Sequence, residues 1–333
     1  MEASSFYAGK RVAVTGAGGF IGSHLVEALV REGANVRALV RYTSSSQRGH
    51  LDRVPPSVLA NVEVVLGDVA DGACVRKLVQ GTDVVFHLAA LIGIPYSYVA
   101  PHQYVATNVS GTLNVLEAAR EHGARVVHTS TSETYGSARY APIDEAHPLT
   151  GQSPYSATKI GADKLAESYF LSFGTPVATI RPFNTYGPRQ SSRAFIPSVM
   201  KQLAAGRDVV RVGSTRPKRD LNFVEDTVAG FLAIGASDRA LGHVINVGSG
   251  RTISMGELAE LIFKISGKPA RLETDDARVR PDASEVELLL ADCRKAKELV
   301  GYEPRVTLEE GLARTWAYVL ERIADYRPDE YAI

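Results

Sequence analysis

The chain has 333 residues, of which 45% are apolar and 22% are charged, a composition typical of a globular protein of one large or two modest domains. Its 37 Lys and Arg residues balance its 37 Asp and Glu residues, so no overall field favours a nucleic acid or an anionic membrane as a partner. Two cysteines, Cys74 and Cys293, exclude a disulfide framework. The eight histidines share no ligand spacing, so we expect no metal site. Without a signal-like start or an apolar run of about 18 residues, we expect a cytoplasmic protein with no membrane span.

The first half of the chain alternates short β-branched runs with segments of helical periodicity. The predicted strands are RVAVTG, NVRALVR, VEVVLGD, DVVFHLAA, ARVVHTST and PVATIRPFN. Segments such as HLVEALVREG and GTLNVLEAAREHG separate them. Strands that alternate with helices predict an α/β fold, here a Rossmann-type, doubly wound parallel sheet with helices on both faces.

The pattern loosens beyond about residue 183, where Pro188, Pro197 and Pro217 interrupt it. A further strand (HVINVGSG), a helix (SMGELAELIFKISG) and a last helix near residues 307–323 follow. We expect residues 1–182 to form the sheet domain, with a segment at about 220–250 returning to it. Residues 183–333 are expected to form mainly a smaller, interleaved lobe that binds substrate at the strand ends.

A glycine-rich turn follows the first strand. In TGAGGFIGSHLVEAL, Gly16, Gly19 and Gly22 lie between a strand and a helix. Glycines at these places allow a tight turn, close approach of the backbone to a pyrophosphate and close packing of the helix. A glycine triplet alone is a weak signal, but the strand before it, the helix after it and the βα repeats beyond it predict a dinucleotide site.

The end of the second strand bears on the choice between NAD and NADP. An acidic residue there binds the ribose 2′-hydroxyl of NAD, whereas an arginine accommodates the 2′-phosphate of NADP. This chain has Val40 at the acidic position, followed by Arg41 and by hydroxyl residues at 43–46. We therefore favour NADP over NAD; in the alternative, Arg41 is a solvated loop residue. Asp68, which ends the third strand, is expected near the adenine or, alternatively, caps the strand end.

Tyr155 and Lys159 in YSATK are four residues apart on a predicted helix, so their side chains leave the same face. A tyrosine is a poor base near neutral pH, because lowering its pKa from about 10 by about 3 units takes about 4 kcal/mol of preferential stabilisation of the phenolate. An ammonium about 4 Å away supplies roughly that much at an effective dielectric constant near 20. The spacing therefore predicts a proton-transfer pair.

In combination these motifs resemble one family. TGAGGFIG, FHLAA, TNVSGTLNVLEAA, TSTSETYG, YSATK and RPFNTYGPR are similar to the motifs of the extended short-chain dehydrogenase/reductases, specifically the nucleotide-sugar epimerases and dehydratases. The resemblance covers about residues 9 to 325. It implies a Rossmann domain with a substrate lobe and a nucleoside diphosphate sugar in the cleft. It also implies a tightly held nicotinamide cofactor that removes hydride from C4 of the sugar and later returns it.

The resemblance further implies the roles of individual residues. Tyr155 takes the proton of the C4 hydroxyl, Lys159 binds the nicotinamide ribose and tunes Tyr155, and Thr131 hydrogen-bonds the same hydroxyl. Asn108 supports the active-site lysine or, alternatively, packs inside its helix. The residues implied to contact the cofactor are Gly16, Gly19, Phe20, Ile21, Gly22, Arg41, Asp68, Val69, Leu88, Ala89, Ala90, Asn108, Tyr155 and Lys159.

Glu133 in TSTSETYG distinguishes the reactions of this family. A ketone at C4 acidifies the C5 proton, so a carboxylate at C5 can act as a general base while the C6 oxygen leaves as water. A 4-epimerase needs no such base. A hexuronate decarboxylase also carries Thr-Ser-Glu but adds an arginine from the second lobe, here Arg278 or Arg280. We therefore favour a 4,6-dehydratase that yields a 4-keto-6-deoxy sugar. The alternatives are a 4-epimerase, a decarboxylase and, in another class, a catalytically silent dinucleotide sensor.

Ser132 narrows the resemblance. Many dTDP-glucose dehydratases have Asp-Glu where this chain has Ser132 and Glu133. The Thr-Ser-Glu form resembles the GDP-mannose 4,6-dehydratases and the bacterial dehydratases of nucleotide-linked N-acetylhexosamines. If the two-residue period of the strand persists beyond its end, Thr131 and Glu133 share a face and Ser132 points away.

Substrate contacts are expected mainly from the second half of the chain. The resemblance assigns Asn184 to the diphosphate or the sugar, and arginines can grip a diphosphate with paired hydrogen bonds. The substrate-side candidates are Ser132, Asn184, Arg189, Arg193, Arg219 and Arg280. For each arginine a solvated or interdomain ion pair is the alternative. Apolar stripes on predicted helices at about 104–122 and 155–173 indicate a homodimer or, alternatively, ordinary core.

Overall fold

The centre of the molecule is a parallel sheet of seven strands, within a computed structural model that describes residues 5–275 and 286–326. Numbered in chain order, its strands are β1 (Arg11–Thr15), β2 (Asn35–Arg41), β3 (Val62–Gly67), β4 (Val84–His87), β5 (Arg125–Thr129), β6 (Val177–Pro182) and β10 (Val244–Val247). Across the sheet they run β10, β6, β5, β4, β1, β2, β3, and every neighbouring pair is parallel. The order reverses between β1 and β4, where open α/β sheets bind ligands at their carboxyl ends.

Helices cover both faces of this sheet. On one face, α1 (Phe20–Arg31) and α9 (Val224–Ala236) bury Leu25, Phe231 and the β4 residue Phe86 completely. The other face is covered by α3 (Gly72–Val79), α6 (Gly111–His122) and α7 (Pro154–Phe173). Short helices α2 (Pro56–Leu59), α4 (Ile94–Val99) and α5 (Pro101–Tyr104) lie in the connections. Apolar residues on both faces of each strand are what a two-sided sheet requires, and the predicted Rossmann-type, doubly wound fold is confirmed.

The second lobe has its own small sheets and core. Its strands are β7 (Asn184–Tyr186), β8 (Val209–Val212), β9 (Lys218–Phe223), β11 (Thr252–Ser254), β12 (Arg271–Thr274) and β13 (Leu288–Leu289). Strand β9 pairs with β7, β11 and β13, and β8 pairs with β12. Helices α8 (Phe195–Ala204), α10 (Met255–Ser266) and α12 (Leu308–Glu321) pack against these strands. The interleaved smaller lobe of the predicted fold is thus present.

The chain crosses between the two lobes several times. After β9, which belongs to the second lobe, α9 packs on α1 and β10 joins the large sheet beside β6. Helix α11 (Arg294–Val300) then contacts α9 and β10. These crossings tie the second lobe to the carboxyl ends of the large sheet, where the cavity of the candidate active site lies.

The helix predicted at about 104–122 is interrupted. The residues from 105 to 110 form a π-helical turn, Val105–Ser110, between α5 and α6. Such wide turns are rare and re-aim side chains locally, and here the turn contains the buried Asn108. The predicted helix at 155–173 corresponds to α7, which begins at Pro154 behind a capping box of Ser153 and Ser156. Within the described residues, no helix is long and apolar enough to cross a membrane.

Candidate active site

A cavity of about 1370 Å³ lies between the carboxyl ends of the sheet and the second lobe. The predicted site residues that line it are Gly16, Gly19, Phe20, Ile21, Gly22, Arg41, Asp68, Val69, Leu88, Ala89, Ala90, Thr131, Ser132, Glu133, Tyr155, Lys159, Asn184, Arg193 and Arg219. The structure therefore brings the glycine turn, the TSTSETYG segment, the Tyr-Lys pair and the second lobe together around one space. Arg278 and Arg280 lie outside the described residues.

The glycine turn leaves no room for side chains. Gly16 has a φ of 68°, a left-handed conformation that favours glycine, and a Cβ on it would lie 2.8 Å from the backbone nitrogen of Ala89. A Cβ on Gly22 would lie 2.2 Å from the carbonyl oxygen of Gly16. Helix α1 begins directly after this turn, and the first N–H groups of a helix have no partner within it. The backbone here has the form that a pyrophosphate requires.

A buried histidine holds the neighbouring wall of the cavity. Thr112 donates from its hydroxyl to the Asn108 carbonyl oxygen at 2.6 Å, so it accepts from Nε2 of His87 at 3.0 Å. Nδ1 of His87 then accepts from the Thr15 hydroxyl at 2.8 Å, and the Thr15 oxygen accepts from the N–H of Ala89 at 3.1 Å. Burial lowers the pKa of His87 well below its usual value. The ring is therefore neutral, and through Thr15 it fixes the backbone of the cavity-lining segment Leu88–Ala90.

Arg41 and Asp68 form the outer wall at the ends of β2 and β3. The Arg41 Nε atom lies 3.9 Å from an Asp68 carboxylate oxygen, and both side chains are largely exposed. The other Asp68 oxygen accepts from the backbone N–H of Ala70 at 2.9 Å. Asp68 therefore caps its strand end and faces the cavity, so its two predicted roles are compatible.

The TSTSETYG segment leaves the sheet sooner than the sequence suggested. Strand β5 ends at Thr129, and a 3₁₀ turn, Ser132–Thr134, follows. Thr131 caps this turn, since its hydroxyl oxygen accepts from the N–H of Glu133 at 3.3 Å. The two-residue alternation of a strand therefore does not continue, and Ser132 lines the cavity together with Thr131 and Glu133 instead of pointing away.

Tyr155 is buried on the first turn of α7 and lines the cavity together with Thr131. Burial raises the pKa of the Tyr155 phenol well above its usual value; the Thr131 side chain lowers it, and the nearby negative charge of Glu133 raises it. We expected the charge of Lys159 to lower the pKa of Tyr155, but in the protein without cofactor or substrate the effect of burial is larger. A phenolate at this site therefore needs further positive charge.

Lys159 lies one turn beyond Tyr155 and is 4% exposed. Its ammonium donates a 2.6 Å hydrogen bond to the carbonyl oxygen of Thr129. Burial lowers the pKa of Lys159 from 10.5 to about 8, and the charge of Asp163 raises it. The lysine is thus held in place by the end of β5 at the base of the cavity.

Asn108 is not among the described residues that line the cavity, and its side-chain hydrogen bonds go to Leu91 and Thr158. Its side-chain oxygen accepts from the Leu91 N–H at 2.8 Å, and its amide donates to the Leu91 carbonyl at 3.0 Å and to the Thr158 hydroxyl at 3.1 Å. Because the π-helical turn aims this side chain inward, Asn108 clamps the segment after β4 against α7. Asn108 thus has the packing role that was the alternative to supporting the lysine, and its contact with the cofactor stays a prediction.

Arg189 forms an interdomain ion pair, which was the alternative to its role in binding substrate. It has a φ of 70° and turns its guanidinium beneath α1, where it pairs with Glu27 and donates to the Ser23 hydroxyl at 3.2 Å. The same turn places Gln190, which the sequence did not single out, on the cavity wall. The Gln190 amide donates to the Thr185 carbonyl at 3.0 Å, while its buried carbonyl oxygen has no hydrogen-bond partner among the described residues.

Three other candidates from the second half line the cavity. Asn184, on β7, has a buried side-chain oxygen without a hydrogen-bond partner in the described part of the chain. Arg219, on β9, is 7% exposed and donates to the carbonyl oxygen of Lys218 at 3.1 Å. Arg193 follows Gln190 on the same wall. An acceptor atom and two guanidinium groups among the cavity-lining residues are suited to a polar, anionic ligand.

Comparison with known proteins agrees with this fold, which is that of an extended short-chain dehydrogenase/reductase. Residues 13–315 match the family model described as GDP-mannose 4,6 dehydratase. The chain belongs to this family of nucleotide-sugar dehydratases and epimerases, and the resemblance inferred from the motifs is confirmed.

Relatives of similar identity carry the names of different enzymes. A dTDP-glucose 4,6-dehydratase of Actinoplanes sp. is 36% identical over 322 residues, which are 92% of this chain and 97% of the relative. A UDP-N-acetyl-alpha-D-glucosaminuronate decarboxylase of Bacillus cytotoxicus is 30% identical over 316 residues, 92% of this chain and 96% of the relative. The structure of UDP-glucuronic acid 4-epimerase from Bacillus cereus, in complex with UDP-glucuronic acid and NAD, has a TM-score of 0.83 at 28% identity and covers 94% of this chain and 99% of that one. The choice among these reactions therefore depends on the site.

Proposed function

We propose that the protein is a nucleotide-sugar 4,6-dehydratase that acts through Thr131, Glu133, Tyr155 and Lys159. The observation that supports this most is that Glu133 lines the same cavity as Tyr155 and acts on its phenol through its charge. Elimination of water uses a general base at C5, beside the residue that takes the proton of the C4 hydroxyl, and a carboxylate can be that base. A 4-epimerase has no use for it.

The first stage is oxidation at C4. Tyr155 accepts the proton of the C4 hydroxyl, and Thr131, which lines the same cavity, orients that hydroxyl. Burial opposes the phenolate form of Tyr155, and the ammonium of Lys159 offsets part of this cost. A nicotinamide cofactor held by the glycine turn and by residues 88–90 would supply the hydride acceptor for C4 and the hydride donor for C6.

The second stage is elimination. With a ketone at C4, the C5 proton is acidic and passes to the Glu133 carboxylate. The resulting carboxylic acid gives a proton to the C6 oxygen, the C5–C6 double bond forms, and the C6–O bond breaks to release water. Ser132 stands where many dTDP-glucose dehydratases have an aspartic acid, so Glu133 serves both proton transfers. Glu133 then takes a proton from solvent and gives it to C5, and Tyr155 releases the former C4 hydroxyl proton to solvent. With the hydride that the bound cofactor would return to C6, the product is the 4-keto-6-deoxy sugar and one water.

The cavity fits a nicotinamide dinucleotide, because a side chain at Gly16 or Gly22 would fill the turn that receives the pyrophosphate. We favour NADP over the NAD of the Bacillus cereus relative. Val40 offers no carboxylate to the ribose 2′-hydroxyl, and the exposed Arg41 guanidinium on the cavity wall can bind a 2′-phosphate. Denaturing the purified protein and identifying the released nucleotide by mass tests this choice.

The substrate is a nucleoside diphosphate sugar, with the diphosphate near Arg193 and Arg219 and the sugar near Asn184 and Gln190. The Thr-Ser-Glu form favours a nucleotide-linked N-acetylhexosamine as its class. Arg193 and Arg219 already have interactions within the protein, so the substrate is proposed to share them. Competition between substrate and free nucleoside diphosphates in calorimetric titrations tests this placement.

We also propose a homodimer formed through α6, α7 and the segment before α6. Large apolar side chains in this region are strongly exposed in the single chain: Val99 (77%), Val105 (50%), Leu171 (73%) and Phe173 (54%). Exposed apolar groups of this size on neighbouring helices are suited to a contact between copies. Light scattering coupled to gel filtration measures the mass in solution, and a monomer at micromolar concentration would refute the dimer.

One experiment tests the reaction. The purified protein is incubated with GDP- and UDP-linked hexoses, N-acetylhexosamines and uronates, and each product is followed by mass spectrometry and NMR. Loss of one water supports the proposal. Loss of carbon dioxide identifies the decarboxylase, an isomer of unchanged mass identifies the epimerase, and cofactor binding without turnover of any sugar nucleotide identifies the sensor.

A further inference from the structure

A buried polar cluster joins the end of β5 to α7. His128 donates from Nε2 to one Asp163 oxygen at 3.1 Å, and Ser130 donates to the other at 2.6 Å. Between them, the carbonyl oxygen of Thr129 accepts from Lys159 at 2.6 Å. Three consecutive residues at the end of a strand are therefore bonded to two α7 side chains that lie one helical turn apart.

Arg181, on β6, completes the cluster. It donates to Asp163 at 2.7 Å and to the Ser130 hydroxyl at 3.1 Å, and its guanidinium lies 4.6 Å from the centre of the Tyr135 ring. Asp163 is 5% and Arg181 2% exposed. Burial opposes the charge on Asp163, but the hydrogen bond from His128 and the charge of Arg181 outweigh it, so the pKa of this carboxyl is well below its usual range. Asp163 is therefore a buried anion with three donors.

This anion lies beside Lys159. The titratable and charged groups around that ammonium are Tyr155 and Asp163 on its own helix, His87 on β4, His128 on β5, Arg181 on β6, Glu133 after β5 and Tyr104 against the Tyr155 ring. Burial lowers the pKa of both histidines, so they carry no charge near neutral pH. Asp163 raises the pKa of Lys159 against the lowering by burial.

We propose that Asp163 is a positioning residue of the active site, which supplies the counter-charge for the Lys159 ammonium and fixes the end of β5 against α7. The inference rests on the proposed roles of Tyr155 and Lys159. Asp163 itself does not line the active-site cavity. It acts through Lys159, whose proton it retains, and through residues 129–133, whose position relative to Tyr155 it sets.

The first test is a pH profile of two variants. Asp163→Asn keeps the shape of the side chain and removes its charge, whereas Asp163→Glu keeps the charge. Without the counter-charge Lys159 loses its proton more readily, so the alkaline limb of the turnover profile should move to lower pH by about 1 unit in Asp163→Asn. Asp163→Glu should lower the rate and leave the limb in place. If Asp163→Asn folds and its alkaline limb lies at the same pH as that of the parent, the proposal is refuted. If Asp163→Asn does not fold, the proposal is refuted by an alkaline limb of Asp163→Glu that lies at lower pH than that of the parent.

A control separates this effect from simple loss of stability. Asp226, on α9, is 4% exposed and accepts from the N–H groups of Arg305 and Val306 at 3.0 Å each. It is a buried carboxylate at the start of α9 whose hydrogen bonds go to the backbone of residues 305–306, whereas those of Asp163 go to the end of β5 and to β6. Asp226→Asn should lower the melting temperature and leave the alkaline limb where the parent has it, so a limb that moves equally in both variants overturns the assignment to Asp163.

A second readout needs no turnover. The pH dependence of the unfolding free energy is compared between the parent and Lys159→Met. The same comparison is then made between Asp163→Asn and the double variant with Asp163→Asn and Lys159→Met. The difference reports the titration of Lys159 in the folded protein, and its midpoint should fall by about 1 pH unit when Asp163 loses its charge. Equal midpoints contradict the proposal. If the protein dehydrates no sugar nucleotide but the midpoint falls, the proposed reaction fails and the role of Asp163 stands.

Discussion

The ammonium of Lys159 donates a 2.6 Å hydrogen bond to the carbonyl oxygen of Thr129, the last residue of β5. The sequence predicted that Lys159 binds the nicotinamide ribose and lowers the pKa of Tyr155, yet burial of Tyr155 raises the pKa of its phenol. A buried ammonium costs stability because it has lost its water. A buried ammonium that lowers the stability of the protein is consistent with the catalytic role proposed for Lys159.

Lys159→Met should stabilise the protein and abolish turnover. At pH 7 the variant should be more stable by about 1 to 2 kcal/mol, since it removes a buried charge at the loss of one hydrogen bond. The folded-state pKa of about 8 lies below the usual 10.5, so between these values the unfolded chain binds more protons and the parent gains stability as pH rises. The advantage of the variant should therefore shrink from pH 8 to about 10. Urea denaturation at pH 7 and pH 9 measures the difference in unfolding free energy between Lys159→Met and the parent. If the variant is not more stable, or if its excess stability is the same at both pH values, the buried charge of Lys159 does not lower the stability of the parent.

Glu133→Gln should stop dehydration while C4 oxidation continues. The amide cannot accept the C5 proton, so water loss should fall by a factor of about 100 to 10,000, while the reduced nicotinamide accumulates on addition of substrate. Exchange of the C5 proton with deuterated solvent, followed by NMR, should also stop. Glu121→Gln on α6, where the side chain is exposed and pairs with Arg76, is the matched control. Undiminished water loss in Glu133→Gln would remove Glu133 from the mechanism.

Arg41→Ala should shift the preference between cofactors. If Arg41 binds the 2′-phosphate, the affinity for NADP should fall about tenfold, equivalent to about 1.4 kcal/mol, and that for NAD should change little. Fluorescence titration of protein freed of its cofactor measures both constants. Arg76→Ala, which removes an equally exposed arginine paired with Glu121, should alter neither. If the affinities for NADP and NAD fall by the same factor, Arg41 does not bind the 2′-phosphate.

The fold and the principal motifs could be predicted because their signals are local. The glycine turn after β1 and the i, i+4 pair Tyr155 and Lys159 depend on spacing within one element, and alternating strands and helices fix the sheet. These features needed no knowledge of contacts distant in sequence.

The differences arise where the backbone departs from regular structure. The left-handed conformation of Arg189 exchanges the faces of Arg189 and Gln190, the 3₁₀ turn after β5 brings Ser132 to the cavity, and the π-helical turn aims Asn108 at Leu91. No residue type in these segments indicates that the backbone leaves the regular conformation, because tertiary packing determines it. The bonds of Asp163 to β5 and β6 join residues 18 to 35 positions apart, which no local pattern reveals.

Gly22→Ala should empty the site of its cofactor and destabilise the sheet domain. The added Cβ would lie 2.2 Å from the Gly16 carbonyl oxygen, so the start of α1 must move away from the turn, at a cost of about 1 to 3 kcal/mol. The control is Gly256→Ala in α10, where the nearest atom to the new Cβ is 3.5 Å away on Thr215 and the stability should stay within about 0.5 kcal/mol of the parent. The amount of nucleotide released on denaturation and the urea midpoint measure both effects. Full cofactor content in Gly22→Ala would show that the pyrophosphate does not approach this turn, because a backbone displaced by the new Cβ could no longer receive it.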